Sequence, residues 1–464
     1  MKNTSKTRRK FIQEVSAISA GLFITPALRA EDSKSANERI RFACIGIGGK
    51  GQSDSADAAH HGDVVAVCDI DENTLNTQAE KKFAKAARFT DYREMLDKMG
   101  KGIDAVTVST PDHSHTSASV RAMRMGKHCF TQKPLTHSVS EARLMAKVAR
   151  EAKVATQMGN QGTANDTLRQ ASAIIKSGAL GTIKEVHVWT NRPVWPGQGG
   201  PRPAPTAVPK GVNWDLWIGP APFRDYGPGS HTFAWRAWWD FGTGALGDMA
   251  CHTFNMPYMA LDLKNPTSIE AEHTGHNGDS YPASCKILFQ FPSTSSRPAI
   301  PVTWYDGGNL PPEEILGGKK LGGNKRRRNK KDDEKDAGAE PVFPSSGVLV
   351  VGDKDILHGH GDYCGGITLL SGKEPPKVDF VKSPGHFEEF IRAIRGGEAA
   401  VSNFPEYSGG LTETILLGNL AVWCGKSPNN PGKKVEWDSE KLVAKGMPEL
   451  DKIINPPYRK GWEL

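Results

Sequence analysis

The sequence lacks the features that mark zinc-binding, disulfide-stabilised and membrane-spanning proteins. None of its seven cysteines forms a Cys-x-x-Cys pair, and their odd number and scattered spacing argue against a disulfide framework. The apolar stretch near the N-terminus, residues 11–28, is short and is broken by Gln13, Glu14 and Pro26. It therefore makes a poor membrane span. We predict no metal site and, once the N-terminal segment is removed, no stable membrane span.

The chain also lacks a strong excess of charge. Its formal net charge is +7 over 464 residues, but residues 1–30 hold six basic side chains and one acidic side chain, so the rest carries +2. A protein this close to neutral gives no reason to expect a nucleic-acid partner. The length exceeds that of one typical hydrophobic core, which favours two domains.

Residues 1–30 have the pattern of a targeting segment. A basic stretch is followed by an apolar run and then by small residues that end at Ala30. Residues 7–12, Thr-Arg-Arg-Lys-Phe-Ile, resemble the twin-arginine export motif, whose pathway carries proteins that are already folded. We predict a signal peptide and an exported, periplasmic or extracytoplasmic protein. The alternative is an ordinary basic amphipathic leader, and a leader that is not cleaved would tether the protein to a membrane.

Residues 38–160 alternate short apolar runs with helical stretches, as parallel βαβ units do. The apolar runs lack strict alternation, which is typical of strands buried on both faces. We predict an α/β Rossmann domain with strands at residues 41–47, 64–68, 105–109, 128–130 and 154–157, and helices at residues 52–60, 72–86, 114–125 and 138–151.

Residues 161–464 differ in composition from the preceding segment, with more turn residues and tryptophans. We predict an α+β domain on a mostly antiparallel open sheet, with strands at residues 183–190, 267–274, 283–291 and 299–304, and helices at residues 245–261, 385–395 and 406–424. Residues 193–211, rich in Pro and Gly, and a charged insertion at residues 317–340 have the composition of loops. The basic run in the insertion could bind nucleic acid, but an acidic run follows it directly, which favours a solvated segment.

A glycine-rich turn follows the first predicted strand and opens the first predicted helix. It fits the G-x-G-x-x-G fingerprint of dinucleotide-binding folds with Gly46, Ile47, Gly48, Gly49, Lys50 and Gly51. The glycines permit a tight turn and a close approach of the backbone to a pyrophosphate at the helix N-terminus. Asp69 ends the next strand, where a carboxylate can hydrogen-bond a ribose 2′-hydroxyl and would repel a 2′-phosphate. The pattern predicts NAD rather than NADP.

Two further segments follow predicted strands at the edge where ligands bind in open α/β sheets. We predict that they line the cofactor site through Thr110, Pro111, His113, His115, Gln132 and Lys133. The two histidines have no carboxylate cluster beside them, so we do not interpret them as metal ligands.

Here the chain resembles the glucose–fructose oxidoreductase / inositol dehydrogenase (Gfo/Idh/MocA) family. The resemblance runs from Ile40 to about Lys426 and includes the glycine fingerprint. The family's Glu-Lys-Pro tripeptide reads Gln132-Lys133-Pro134 here, and its Asp-x-x-x-His motif reads Asp248 to His252. A spacing of four places Asp248 and His252 on one helical face. The change from Glu to Gln at position 132 puts the pKa of Lys133 in question more than its position.

The resemblance implies roles for three side chains in the oxidation of an alcohol. His252 is the candidate base, since an imidazole titrates near neutrality. Lys133 would hydrogen-bond or help to deprotonate the same hydroxyl, and Asp248 would orient the substrate or tune His252. Asn160, Gln161 and Trp239 are weaker candidates for contacts with a sugar, because amides also cap helices and tryptophan is more often a core residue.

The leading hypothesis is an exported, NAD-dependent dehydrogenase that acts on a ring hydroxyl of a sugar, polyol or glycoside. Outside the cytoplasm there is no obvious pool of free NAD, so we expect the cofactor to be tightly bound and recycled within the site. One alternative is a glycoside hydrolase that uses bound NAD for transient oxidation and elimination, and another is a non-catalytic NAD-binding scaffold or sensor. By family analogy, a homodimer or homotetramer is plausible.

Overall fold

The computed structural model describes residues 39–316 and 345–464, so the predicted leader and the predicted insertion at residues 317–340 lie outside the described residues. Within the two described ranges, no helix combines the length and apolar character that crossing a bilayer requires. The seven cysteines are all free, and six of them are buried. The described residues contain no group of three or more side chains suited to hold a metal ion.

A parallel six-stranded sheet forms the N-terminal half, with strand order β3-β2-β1-β4-β5-β6. Its strands are β1 (Ile40–Ile45), β2 (Gly62–Cys68), β3 (Ala87–Phe89), β4 (Ala105–Val108), β5 (His128–Thr131) and β6 (Thr156–Met158). The connecting helices are α1 (Gly51–His61), α2 (Glu72–Lys82), α3 (Tyr92–Met99), α4 (His115–Arg124) and α5 (Val139–Ala152). The central strand β1 is buried along almost its whole length, as the apolar runs predicted.

A nine-stranded sheet forms the C-terminal half, in the order β13-β12-β11-β7-β10-β9-β8-β14-β15. Only β7 and β10 pair in parallel among its described strands, so the predicted mostly antiparallel sheet is confirmed. The strands are β7 (Ile183–Trp189), β8 (Ser268–His273), β9 (Cys285–Phe291), β10 (Ile300–Tyr305), β11 (Gly347–Gly352), β12 (Ile356–His360), β13 (Ile367–Leu369), β14 (Val435–Asp438) and β15 (Val443–Ala444). The helices of this half are α6 (Asp166–Lys176), α7 (Trp214–Ile218), α8 (Gly244–Thr253), α9 (Asn255–Leu261), α10 (His386–Ile394), α11 (Gly409–Cys424) and α12 (Asp451–Ile454).

Several elements differ from the sequence prediction. The sequence did not reveal β3, the helices α3, α6, α7 and α12, or the five strands β11 to β15. Several of these elements are too short to show a period. The single helix predicted at residues 245–261 is two helices, α8 and α9, that meet at Phe254. The helix predicted at residues 72–86 ends at Lys82, and Phe83 leaves the helical conformation.

Helix α10 belongs to the C-terminal half of the sequence but packs on the N-terminal sheet. Phe387 and Phe390 of α10 enter one hydrophobic cluster with Phe42 of β1 and Phe130 of β5. The ring centroids of Phe130 and Phe387 lie 5.3 Å apart. The N-terminal sheet therefore has part of its core supplied from beyond residue 160, because a parallel sheet needs cover on both faces.

Candidate functional site

The glycine-rich turn between β1 and α1 is too tightly folded to accept side chains at two of its glycines. Gly46 has a φ of +75°, and a Cβ there would lie 2.6 Å from the Ser109 carbonyl oxygen. A Cβ on Gly51 would lie 1.9 Å from the carbonyl oxygen of Gly46. The turn therefore brings bare backbone to the N-terminus of α1, the geometry that binds a pyrophosphate.

Asp69 stands directly beside this turn at the carboxyl end of β2. Its carboxylate accepts hydrogen bonds from the backbone N–H groups of Ile47, at 3.0 Å, and Asp71, at 3.1 Å. A Cβ on Gly48 would lie 3.8 Å from the Asp69 Oδ2 atom. Burial raises the pKa of Asp69, although the Asp71 and Ile47 N–H groups oppose the shift. These residues fit a dinucleotide whose pyrophosphate lies on the turn and whose ribose lies against Asp69.

His113 and His115, which the sequence predicts to line the cofactor site, have side chains that contact backbone carbonyl groups instead. The His113 ring nitrogens face the Trp217 and Phe241 carbonyl oxygens, at 2.9 and 3.2 Å, and those of His115 face the Thr110 and Pro134 carbonyl oxygens, both at 2.8 Å. Burial lowers the pKa of His113 to about 3 and also lowers the pKa of His115. We correct their role to that of fixing the loop that carries Thr110 and Pro111, because each ring nitrogen already faces a carbonyl.

Gln132 has a partner that explains why glutamate is replaced there. Its Nε2 donates to the Asp54 Oδ2 atom at 2.8 Å, and the Ser109 hydroxyl donates to the same oxygen at 2.7 Å. Lys50 forms an ion pair with the other Asp54 oxygen. Asp54 is 1% exposed. A glutamate at position 132 would set a second buried carboxylate against Asp54, whereas the glutamine amide can donate.

Lys133 and Asp248 meet across the two halves of the chain. The Lys133 Nζ donates to the Asp248 Oδ1 at 2.9 Å and to the Asp248 carbonyl oxygen at 2.8 Å. Arg236 approaches the same Oδ1 with its Nε at 3.2 Å. Burial alone would raise the pKa of Asp248, but Lys133 and Arg236 outweigh it and hold the pKa well below its ordinary value. Burial alone would lower the pKa of Lys133, but the nearby Asp248 carboxylate outweighs burial, so the pKa is raised. Lys133 is therefore an ammonium group that can donate hydrogen bonds.

His252 lies one turn after Asp248 on α8 and is 3% exposed. Its ring packs against Tyr363, with centroids 4.6 Å apart, and its Nδ1 is buried with no hydrogen-bond partner among the described residues. Burial first, and the charge of Lys133 second, lower the pKa of His252 well below 6.5. The site thus contains a neutral imidazole, His252, and an ammonium donor, Lys133. In this arrangement the imidazole can accept the proton of a bound hydroxyl.

The three weaker substrate candidates fall in different places. Asn160 is fully buried after β6, and within the part of the chain that the structure describes neither its amide oxygen nor its amide nitrogen has a partner, which suits a ligand-binding role. Gln161, with its amide oriented to satisfy both groups, donates to the Gly159 carbonyl at 2.8 Å and accepts from Lys50 at 3.0 Å. Trp239 instead stacks on Tyr281, with centroids 3.8 Å apart.

The position of Trp239 corrects its predicted role. It lines a cavity of about 330 Å³ whose wall contains none of the three side chains Lys133, Asp248 and His252. Trp239 is 8% exposed and belongs to the main hydrophobic core. Its indole is therefore a packing element rather than a platform for a sugar at the Lys133 site.

Sequence reasoning missed Asp54, Arg192, Arg236 and Tyr363. Tyr363 follows β12 in a turn between strands that the sequence did not reveal. Arg192 lies 4.0 Å from Asp362, the residue before Tyr363, and its charge contributes to the lowered pKa of His252. Arg236 sits among the tryptophans at residues 235–239, where an arginine between aromatic residues was the available signal.

Two protein-family models match the chain, one after the other. The first, "Oxidoreductase family, NAD-binding Rossmann fold", matches residues 40–160. The second, "Oxidoreductase family, C-terminal alpha/beta domain", matches residues 164–295. Together they cover more than half of the chain, and the first contains the glycine turn, Asp69 and Lys133, while the second contains Asp248 and His252.

Named relatives and a solved structure are similar to parts of this chain. The chain is 26% identical over 126 residues to inositol 2-dehydrogenase of Salmonella typhimurium, covering 27% of this chain and 37% of the relative. It is 30% identical over 161 residues to α-N-acetylgalactosaminidase of Shewanella oneidensis, covering 29% and 35%. The chain thus spans well under half the length of these relatives. The WlbA dehydrogenase of Chromobacterium violaceum, solved with NADH and UDP-GlcNAcA, shares the fold with a TM-score of 0.58 at 19% identity, covering 87% and 97%.

Proposed function

Because the chain belongs to the Gfo/Idh/MocA family of NAD-binding oxidoreductases, we propose that it oxidises a ring hydroxyl of a sugar, polyol or glycoside. The observation that carries this proposal is the contact between Lys133 and Asp248, one turn from His252. It brings a lysine at the cofactor edge of the first sheet to α8, the helix of the second half that also carries His252, the proposed proton acceptor. NAD, when bound, supplies the hydride acceptor.

The three side chains divide the work on the hydroxyl. His252 accepts the hydroxyl proton on its neutral ring. Lys133 donates a hydrogen bond to the same oxygen and stabilises the negative charge that develops there. Asp248 holds the Lys133 ammonium in place through its Oδ1 and its carbonyl oxygen. Burial excludes water from this proton transfer, since His252 is 3% exposed.

The surroundings of the site support a carbohydrate-like substrate. Tyr363, against His252, and Phe233, beneath the Arg236 guanidinium, are each 44% exposed and can pack on the apolar faces of a ring. The unpartnered amide of Asn160 can both donate to and accept from hydroxyl groups. The named relatives act on inositol or on an N-acetylgalactosaminide, both of which carry hydroxyls on a six-membered ring.

The match to an α-N-acetylgalactosaminidase favours a second candidate function, the hydrolysis of a glycoside through transient oxidation and elimination. Both functions begin with removal of the same hydroxyl proton, so His252 and Lys133 serve either one. The twin-arginine-like motif at residues 7–12 supports our further proposal that the enzyme works outside the cytoplasm, with NAD as a resident group.

The test is a panel of polyols, free sugars and aryl glycosides incubated with the purified protein. We follow reduced nicotinamide by absorbance, and keto-sugar and released aglycone by chromatography. Keto-sugar or reduced nicotinamide supports the dehydrogenase, and aglycone release without net reduction supports the hydrolase. His252→Ala should abolish either signal, whereas His60→Ala, an exposed histidine on α1, should not. An unaltered signal in His252→Ala would disprove the proposed site.

The burial of His252 predicts an unusual pH profile. The neutral ring, the form that accepts a proton, is lost only as the pH falls through the lowered pKa, well below 6.5. Lys133 stays protonated until the pH rises above 10.5. We therefore expect kcat/KM to show no inflection near 6.5 when it is measured across the acidic and neutral range. An acidic limb centred at 6.5 would contradict the assignment of a buried base.

A further inference from the structure

A segment of the C-terminal half crosses to the cofactor edge of the N-terminal sheet. This strap, residues 208–214, forms an antiparallel bridge between Val212 and Asp71. The Glu72 N–H donates to the Gly211 carbonyl oxygen at 2.8 Å, and the Asn213 N–H donates to the Ile70 carbonyl oxygen at 2.9 Å. The predicted Pro- and Gly-rich loop that leads into the strap is thus tied to the Rossmann half by main-chain hydrogen bonds.

The strap docks on the residues that directly follow Asp69, the side chain placed to bind the adenosine ribose. It also borders a groove of about 470 Å³ that includes Glu72 and Thr90. Thr90 follows β3 at the carboxyl edge of the sheet. The strap therefore borders the adenosine end of the cofactor site, at the side remote from Lys133 along the bound dinucleotide.

The two ends of the strap are held very differently. At its C-terminal end, Trp214 stacks on Trp217 with centroids 4.6 Å apart, and its Nε1 donates to the Arg224 carbonyl oxygen at 2.7 Å. At the other end, residues 208–210 are exposed. There the Asn73 Nδ2 of the Rossmann half donates a hydrogen bond to the Lys210 carbonyl oxygen, at 3.0 Å. The exposed end can therefore lift while the tryptophan end stays fixed.

We propose that the strap is a cofactor latch: it closes the adenosine end of the site, and NAD leaves only when the strap lifts. Lifting the exposed end breaks a few hydrogen bonds, and residues 208–213 belong to none of the hydrophobic clusters in the described part of the chain, so the latch can open without unfolding. The latch slows dissociation of the cofactor and gives a structural basis for resident NAD. It rests on the NAD site of the proposed function and is independent of the identity of the substrate.

Gly211 offers the sharpest test of the latch. Its φ is +88°, and a Cβ would lie 2.8 Å from the Asn73 Nδ2, so Gly211→Val should dislodge the strap. We expect NADH to dissociate about 100-fold faster, measured by stopped-flow fluorescence during displacement by excess NAD. We also expect the variant to lose its NAD on desalting, measured by mass spectrometry. Asn73→Ala, which removes the Nδ2 hydrogen bond to Lys210 and a longer one to the Asp71 carboxylate, should act in the same direction with about a tenfold change.

Gly178→Val is the matched control, because Gly178 also has a positive φ, of +78°, and follows α6 outside the strap. A Cβ there would have no neighbour within 4 Å in the described ranges. This variant should lower thermal stability without changing the dissociation rate of NADH. An unchanged dissociation rate in both Gly211→Val and Asn73→Ala would overturn the latch, as would an equal acceleration in Gly178→Val. If Gly211→Val does not fold, Asn73→Ala decides alone. If no member of the substrate panel reacts but the NADH dissociation rates change as expected, the proposed function fails while the latch stands.

Discussion

Replacing Lys133 with methionine should lower kcat about 10³-fold in the reaction identified by the substrate panel. Methionine keeps much of the side-chain volume but removes the ammonium that donates to the substrate oxygen. It also leaves the Asp248 carboxylate with Arg236 as its remaining cationic partner in the site. The measurement is steady-state turnover together with the NAD content of the purified variant, so that a loss of cofactor is not mistaken for a loss of chemistry.

A second lysine of the Rossmann half provides the control. Lys147 on α5 has a side chain that is 68% exposed and makes a long ion pair with Glu151, at 3.8 Å. Lys147→Met should therefore keep the wild-type kcat. If Lys133→Met retains NAD and turns over within about tenfold of wild type, proton transfer and charge stabilisation do not depend on this lysine.

Replacing Gly51 with alanine should weaken NAD binding about 100-fold or more. The new Cβ would lie 1.9 Å from the Gly46 carbonyl oxygen and 3.2 Å from the Ser109 Cβ, so the turn cannot keep its shape. The backbone that would carry the pyrophosphate must then move away from α1. The measurement is the Kd for NAD, titrated into protein stripped of cofactor, with circular dichroism to establish that the fold persists.

Gly49 in the same turn separates steric collision from backbone strain. Its φ is +49°, but a Cβ there would meet no atom of the described residues within 4 Å. Gly49→Ala should therefore weaken binding by roughly tenfold at most, through the strain of a left-handed backbone alone. Equal losses in Gly49→Ala and Gly51→Ala would mean that collision at the helix N-terminus is not what limits binding.

The Gln132 position shows how far a resemblance to a family carries. The sequence revealed that a glutamate is replaced, and it raised the question of the pKa of Lys133. The structure answers with two separate contacts: Gln132 donates to Asp54, and Asp248 sets the charge of Lys133. Asp54 lies far from Gln132 in sequence, so no local pattern could have paired them.

His113 and His115 show the opposite case. The sequence placed them correctly after β4, but their side chains contact backbone carbonyls rather than serving the predicted cofactor-binding role. His113 and His115 do follow β4, at the edge where ligands bind in such sheets: His113 lies in a 3₁₀ turn and His115 is the first residue of α4. Their ring nitrogens nevertheless face carbonyl oxygens from distant segments. A loop position can be read from sequence, but the partner of a side chain depends on which other segments fold against it.

The sequence by itself determined the Rossmann half, the glycine turn, Asp69 and the four-residue spacing of Asp248 and His252. These features depend on short-range periodicity and on backbone freedom at glycine, which local sequence encodes. Only the tertiary structure decided that Lys133 meets Asp248, that His252 is buried and neutral, and that the strap reaches residues 70–73. Those contacts join segments far apart in the chain, and burial acts on charged and titratable groups only once the two halves have folded together.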